Sequence, residues 1–107
     1  SDRNLKDFYA NKLIMGVGGV TLENGYTDYH LQEANTIRCM IEQSDRVIAV
    51  ADYSKFGVTA MNFVCGISRV DKLVTDWSTP DPVVRAFREK GTEVLVAEEP
   101  RTKESHI

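Results

Sequence analysis

Long apolar runs are missing from this chain of 107 residues, and none approaches the roughly 20 residues a helix needs to cross a bilayer. The opening Ser1-Asp2-Arg3-Asn4-Leu5-Lys6-Asp7 also lacks the apolar stretch of a secretion signal. A soluble, cytoplasmic protein with no membrane partner is therefore expected. Cysteine is scarce: Cys39 and Cys65 have no CxxC spacing and no cysteine or histidine close by, so they read as buried small hydrophobes rather than a disulfide, a nucleophile or metal ligands. His30 and His106 make no constellation either, and His106 lies in a polar tail. No metal and no cofactor is expected. Clustered positive charge is missing too. The net charge is −3, and Lys and Arg are scattered along the chain, which excludes DNA binding by these residues. Repeats and low-complexity segments are absent, and a content of 42% hydrophobic and 27% charged residues argues against disorder and for one globular domain.

What is present alternates between apolar runs and turn clusters. Residues 1–11 carry Leu5, Phe8 and Tyr9 at helical spacing, which predicts a short amphipathic helix. Leu13 to Met15 read as a buried strand, followed by Gly16-Val17-Gly18-Gly19-Val20. This glycine stretch fails as a dinucleotide fingerprint, because Thr21 follows where a third glycine belongs, and as a Walker loop, because Gly-Lys-Ser/Thr is missing. Thr21 to Asp28 reads as a turn-rich connection, with Thr27 or Asp28 capping a helix over about Tyr29 to Gln43. Leu31, Ala34, Ile37 and Ile41 are its expected buried stripe. Val47 to Ala51 lacks alternation and so reads as a strand buried on both faces, as in a parallel sheet covered by helices. Residues 60–67 are apolar and short, leaning towards strand, and Lys72 to Asp76 is a further strand. Thr79 is expected to cap a helix beginning at Pro80, with Val83, Val84 and Phe87 buried and Gly91 stopping it. Thr92 to Ala97 is the last strand, and residues 98–107 form a charged tail.

This order predicts an α/β layer fold with a mainly parallel sheet and flanking helices. Ligands in such sheets gather beyond the carboxyl ends of the strands. The loops at Gly18-Gly19, at Asp52 to Lys55 and at Asp76 to Thr79 all belong at that end, facing one crevice. Glycine amides, hydroxyls and a lysine are the usual parts of a phosphate site, and Asp52, Glu33 and Asp76 are available for sugar hydroxyls. Asp, Ser and Gly after a strand are equally ordinary turn residues. Catalysis would require burial to tune Asp52 or Glu33 as an acid or base.

Taken together, Gly16-Val17-Gly18-Gly19-Val20, Leu22-Glu23-Asn24-Gly25-Tyr26-Thr27, Glu33-Ala34, Met40-Ile41, Ala51-Asp52-Tyr53-Ser54-Lys55-Phe56-Gly57 and Leu73-Val74-Thr75-Asp76 resemble the C-terminal effector domain of the DeoR family of bacterial repressors of sugar catabolism. The similarity runs from about Leu5 to Ala97. It implies part of a domain with the ribose-5-phosphate isomerase and glucosamine-6-phosphate deaminase fold, sensing a phosphorylated sugar in a repressor of sugar or polyol catabolism. By that resemblance the effector contacts are Gly18, Gly19, Thr27, Glu33, Asp52, Ser54 and Lys55, with Lys55 the main anionic contact. Many relatives and the isomerases carry an acid where Gly18 stands, which implies a sensor and not an enzyme. A small isomerase-like enzyme and a folded fragment without a ligand site are the alternatives. The family's winged helix-turn-helix and the first half of its sugar domain are not in this sequence. The chain is thus expected to be the C-terminal part of a repressor, contacting DNA only through a missing domain. Its exposed sheet edge is expected to pair with another chain, giving a homo-oligomer.

Overall fold

Residues 11–100 are described by the computed structural model. His106 and, apart from Asn11, the helix expected over residues 1–11 lie outside them. Among the described residues the chain runs β1 (Lys12–Gly16), β2 (Gly19–Thr21), β3 (Gly25–Asp28), α1 (Leu31–Glu42), β4 (Arg46–Val50), β5 (Asn62–Cys65), β6 (Lys72–Asp76), α2 (Asp81–Glu89) and β7 (Glu93–Ala97), with 3-10 turns at Tyr53–Lys55 and Ile67–Arg69. The fold is α/β. Strands β1, β4, β6 and β7 form a parallel sheet in the order β1-β4-β6-β7, while β2, β3 and β5 form a second, antiparallel sheet.

The apolar strands form as their β-branched content predicts, but burial alternates along them. Leu13 and Met15 of β1, Val47 and Ala49 of β4, Leu73 and Thr75 of β6 and Val94 of β7 are buried. The apolar residues among these join Ala34 and Ile41 of α1 and Val84 and Phe87 of α2 in one core. The opposite face holds Ile14, 69% exposed, Val50, 45% exposed, and Leu95, 54% exposed. The expectation that Val47 to Ala51 is buried on both faces is therefore corrected, and of the expected buried strand Leu13 to Met15 only Leu13 and Met15 are buried. Both helices lie on one side of the sheet, and no other described element covers its second face.

The second correction concerns residues 21–28. Gly25, at φ 74°, lets Asn24-Gly25 turn a hairpin between β2 and β3 where a plain connection was expected. Thr27 and Asp28 are consequently strand residues. The N-cap of α1 is His30, with no side-chain cap bond, and Leu31 is 62% exposed instead of joining the stripe. The helix is closed at its other end by a distant residue: Arg69 Nη2 donates to the carbonyls of Ile41 at 2.8 Å and Ser44 at 2.9 Å, placing positive charge on the last turn. In α2 the cap is Pro80, and Thr79 is instead buried with its hydroxyl 2.7 Å from that of Thr75. Gly91, at φ 96°, follows this helix as expected. Cys65 is buried, but Cys39 is exposed on α1, against expectation. No helix among the described residues is long and apolar enough to cross a membrane.

Candidate functional site

The loop after β4 is ordered by its own polar side chains. Asp52 caps the turn Tyr53–Lys55: its Oδ1 accepts from the Ser54 amide at 2.8 Å and, at closer range, from the Ser54 hydroxyl. The Lys55 amide donates to the Asp52 carbonyl at 3.1 Å. This is the Asx-turn that an Asp-x-Ser sequence favours. The Ser54 hydroxyl, then the Ser54 amide and, less strongly, the Lys55 ammonium hold the Asp52 carboxyl below the usual carboxylate range. Asp52 and Ser54 are exposed and Lys55 is half-buried. Past the turn, Gly57 at φ 84° reverses the chain, and its amide donates to the Val20 carbonyl at 2.9 Å. Phe56 bridges Val20 and meets Phe87 edge-on, ring centroids 5.4 Å apart.

Gly19 and Thr27 hold that loop from beneath. A Cβ on Gly19 would stand 2.3 Å from the Val58 carbonyl oxygen, so only glycine admits this approach of loop to strand. The buried Thr27 hydroxyl donates to the Gly19 carbonyl at 3.2 Å and accepts from the Ala60 amide at 2.9 Å. Both residues face protein.

Gly18 and Glu33 occupy a different place. They line a groove of about 460 Å³ with Asp28 between α1 and the free edge of β1, and Leu13, Met15, Ile37 and Met40 supply its apolar wall. The ring of the exposed Tyr29 lies against Gly18, where a Cβ would come within 2.9 Å of it. Asp52 instead shares a concavity of about 180 Å³ with Asp76, over Val50, Val74 and Ala97 at the carboxyl ends of β4, β6 and β7. Asp76 is ordered as Asp52 is, its Oδ1 accepting from the Ser78 amide at 3.2 Å.

The loops expected to face one crevice thus divide. Asp52 and Asp76 come together in one concavity, Gly18 and Glu33 in another, and Gly19 with Thr27 braces the first loop. The sequence offers Asp28, with Thr27, as a helix cap, and its placement at the end of β3 puts it in the groove instead. Tyr29 had no signal of its own, since its approach depends on the bare backbone of Gly18. Among the described residues no three His, Cys, Asp or Glu side chains are grouped to hold a metal ion. The concavity itself offers the carboxyls of Asp52 and Asp76 and the Thr75 side chain, while Ser54 and Lys55 stand on the adjoining turn and do not line it.

The family model of the DeoR C-terminal sensor domain matches residues 1–77. The chain is 32% identical over 100 residues to the HTH-type transcriptional repressor GlcR of Bacillus subtilis (strain 168), covering 94% of this chain and 38% of that protein. It is 28% identical over 99 residues to a putative aga operon transcriptional repressor of Escherichia coli O157:H7, covering 92% and 37%. It is 35% identical over 74 residues to the glycerol-3-phosphate regulon repressor of Escherichia coli (strain K12), covering 69% and 29%. The chain spans less than two-fifths of the length of these relatives.

Proposed function

The chain belongs to the family of DeoR C-terminal sensor domains, and from that premise we propose that it is the effector-sensing part of a repressor of sugar or polyol catabolism. It binds a phosphorylated sugar or polyol. Binding favours one of two states of the whole repressor and so changes DNA binding by a helix-turn-helix outside these 107 residues. The observation that carries this reading is the turn Asp52-Tyr53-Ser54-Lys55, closed by its own hydrogen bonds at the carboxyl end of β4 beside Asp76. Lys55 and Ser54 receive the phosphate, and Asp52 orders the loop with one oxygen. Gly18 and Glu33, at the head of the β1–α1 groove, are the outlying contacts. Gly19 and Thr27 act through the loop they support. The name of one relative, a glycerol-3-phosphate regulon repressor, supports a phosphorylated polyol or sugar as the ligand class. Sensing without turnover is supported by Asp52, whose carboxyl is held down and is therefore a weak base at neutral pH. The whole protein works in the cytoplasm as a homo-oligomer.

Thermal unfolding of the full chain against a panel of sugar and polyol phosphates, with inorganic phosphate as control, tests the reading. A ligand at about a hundred times its Kd adds about 2.7 kcal/mol, a rise on the order of 10 °C for a domain of this size. One sugar phosphate should raise the midpoint, and Lys55→Ala should abolish that rise while leaving the unliganded midpoint in place. Equal binding by Lys55→Ala would refute the assignment, and absence of any shift would refute sensing by this chain.

A further inference from the structure

The tip of the β2–β3 hairpin holds a chemically labile pair. Asn24 is followed by Gly25, whereas Asn4, Asn11, Asn35 and Asn62 precede Leu, Lys, Thr and Phe. An asparagine side-chain amide is among the thermolabile groups of a protein, and it is lost when the backbone nitrogen of the next residue attacks its Cγ. Glycine leaves that nitrogen unshielded. We propose that Asn24 is a site of spontaneous covalent modification, at which an isoaspartyl linkage forms and loosens the hairpin that fastens the turn after β4.

The step needs only water. The Gly25 nitrogen gives its proton to hydroxide and forms a bond to Asn24 Cγ. The Cγ–Nδ2 bond breaks, and Nδ2 takes a proton from water and leaves as ammonia, which restores the hydroxide. Water then opens the cyclic imide. Opening at Cγ gives aspartate. Opening at the main-chain carbonyl gives isoaspartate, in which the backbone runs through Cβ and Cγ and is longer by one carbon.

The fold keeps the labile pair in place and accessible. Asn24 is exposed on the turn, its amide donating to the Thr21 hydroxyl at 2.8 Å and its Nδ2 to the Thr59 hydroxyl at 3.0 Å. Gly25 admits no shielding side chain, because its φ is 74° and a Cβ there would stand 2.4 Å from the Cys65 carbonyl oxygen. Asn35 and Asn62, by contrast, lie inside α1 and β5, where regular hydrogen bonding fixes the backbone. The product reaches beyond the tip. Only Leu22, Glu23 and Asn24 link Thr21 to its partner Gly25, so an added backbone carbon pulls on that pair and on the next, Val20 with Tyr26. The Val20 carbonyl accepts from the Gly57 amide at 2.9 Å, which ties the hairpin to the turn after β4.

Ageing of the full chain in mildly alkaline buffer, followed by peptide mapping in a mass spectrometer, tests this without any effector. Asn24 should convert to a mixture richer in isoaspartate than in aspartate, faster as pH rises, while Asn35 and Asn62 stay intact. Asn24→Gln should block the conversion. The converted protein carries one more negative charge and separates from its parent on an anion exchanger. Its thermal midpoint should lie several degrees below that of the parent. Asn24→Asp adds the charge without the extra carbon and lets the Thr59 hydroxyl donate instead, so it should melt close to the parent. An Asn24 that stays intact in the folded chain, under conditions that convert a synthetic peptide of residues 21–27, overturns the proposal, because the hairpin then protects the pair. Conversion with no loss of midpoint overturns the loosening, as does an Asn24→Asp variant that melts as low as the converted protein.

Discussion

Thr27 separates a bracing role from a ligand contact most sharply. Its hydroxyl joins the Gly19 carbonyl, 8 residues before it, to the Ala60 amide, 33 residues after it. Thr27→Val keeps the shape and strands two buried backbone groups, so urea unfolding should show a loss of about 1–3 kcal/mol. A loss no larger than that of an exposed threonine variant would mean that the hydroxyl does not brace the loop. The two cysteines should separate in reactivity. Cys39 is exposed, while burial pushes the Cys65 thiol up from 9.0 to about 11 against a smaller opposing pull from Arg69. Mass spectrometry after brief alkylation of the folded chain should find Cys39 modified and Cys65 untouched. Because the unfolded thiol ionises first, this site's contribution to stability is complete below pH 9.0, falls as pH rises, and stops changing near pH 11. Cys65→Ala should flatten that stretch of the pH–stability curve.

Strands and helices were legible where one local signal sufficed. The apolar run of β4, the acid-ended β6 and the Gly91 stop of α2 each needed only their own residues. The hairpin is hard to see although Asn24-Gly25 advertises it, because β2 has only three residues and shows no periodicity. The burial of Thr27 depends on β5 pairing with β3, which no local pattern displays. The site was legible in the same measure. Asp52-x-Ser54 encodes its own turn, whereas the closeness of Gly19 to Val58 belongs to the packed structure. Paired substitutions in this element test that division. Gly19→Ala drives a Cβ into the Val58 carbonyl at 2.3 Å and should destabilise by about 1–3 kcal/mol. Gly18→Ala meets the exposed ring of Tyr29 at 2.9 Å, which can swing away, and the Asp28 Cα at 3.3 Å, which needs a shift of only a few tenths of an ångström, and should cost less than Gly19→Ala, about 1 kcal/mol. Denaturant midpoints that rank the two the other way would reassign the bracing role to Gly18.

The molecule as a whole is a parallel sheet with one face covered by its described helices and one face not. Ile14, Val50 and Leu95 leave an apolar surface of the kind that binds hydrophobic dyes. The folded chain should therefore enhance the fluorescence of an anilinonaphthalene dye, and Val50→Lys with Leu95→Lys should suppress the signal without lowering the melting midpoint. No enhancement in the parent chain would mean that residues outside 11–100 cover the face. Assembly of the site is equally a property of the whole. The loop after β4 is fastened to β2 by Gly57 and Val20, residues far apart in sequence, and its brace reaches from β3 to Ala60. A half-folded chain consequently has no turn seated for a ligand. A molecule bound there and requiring that whole arrangement should slow unfolding while leaving the refolding rate as it was, as stopped-flow chevrons with and without ligand would show.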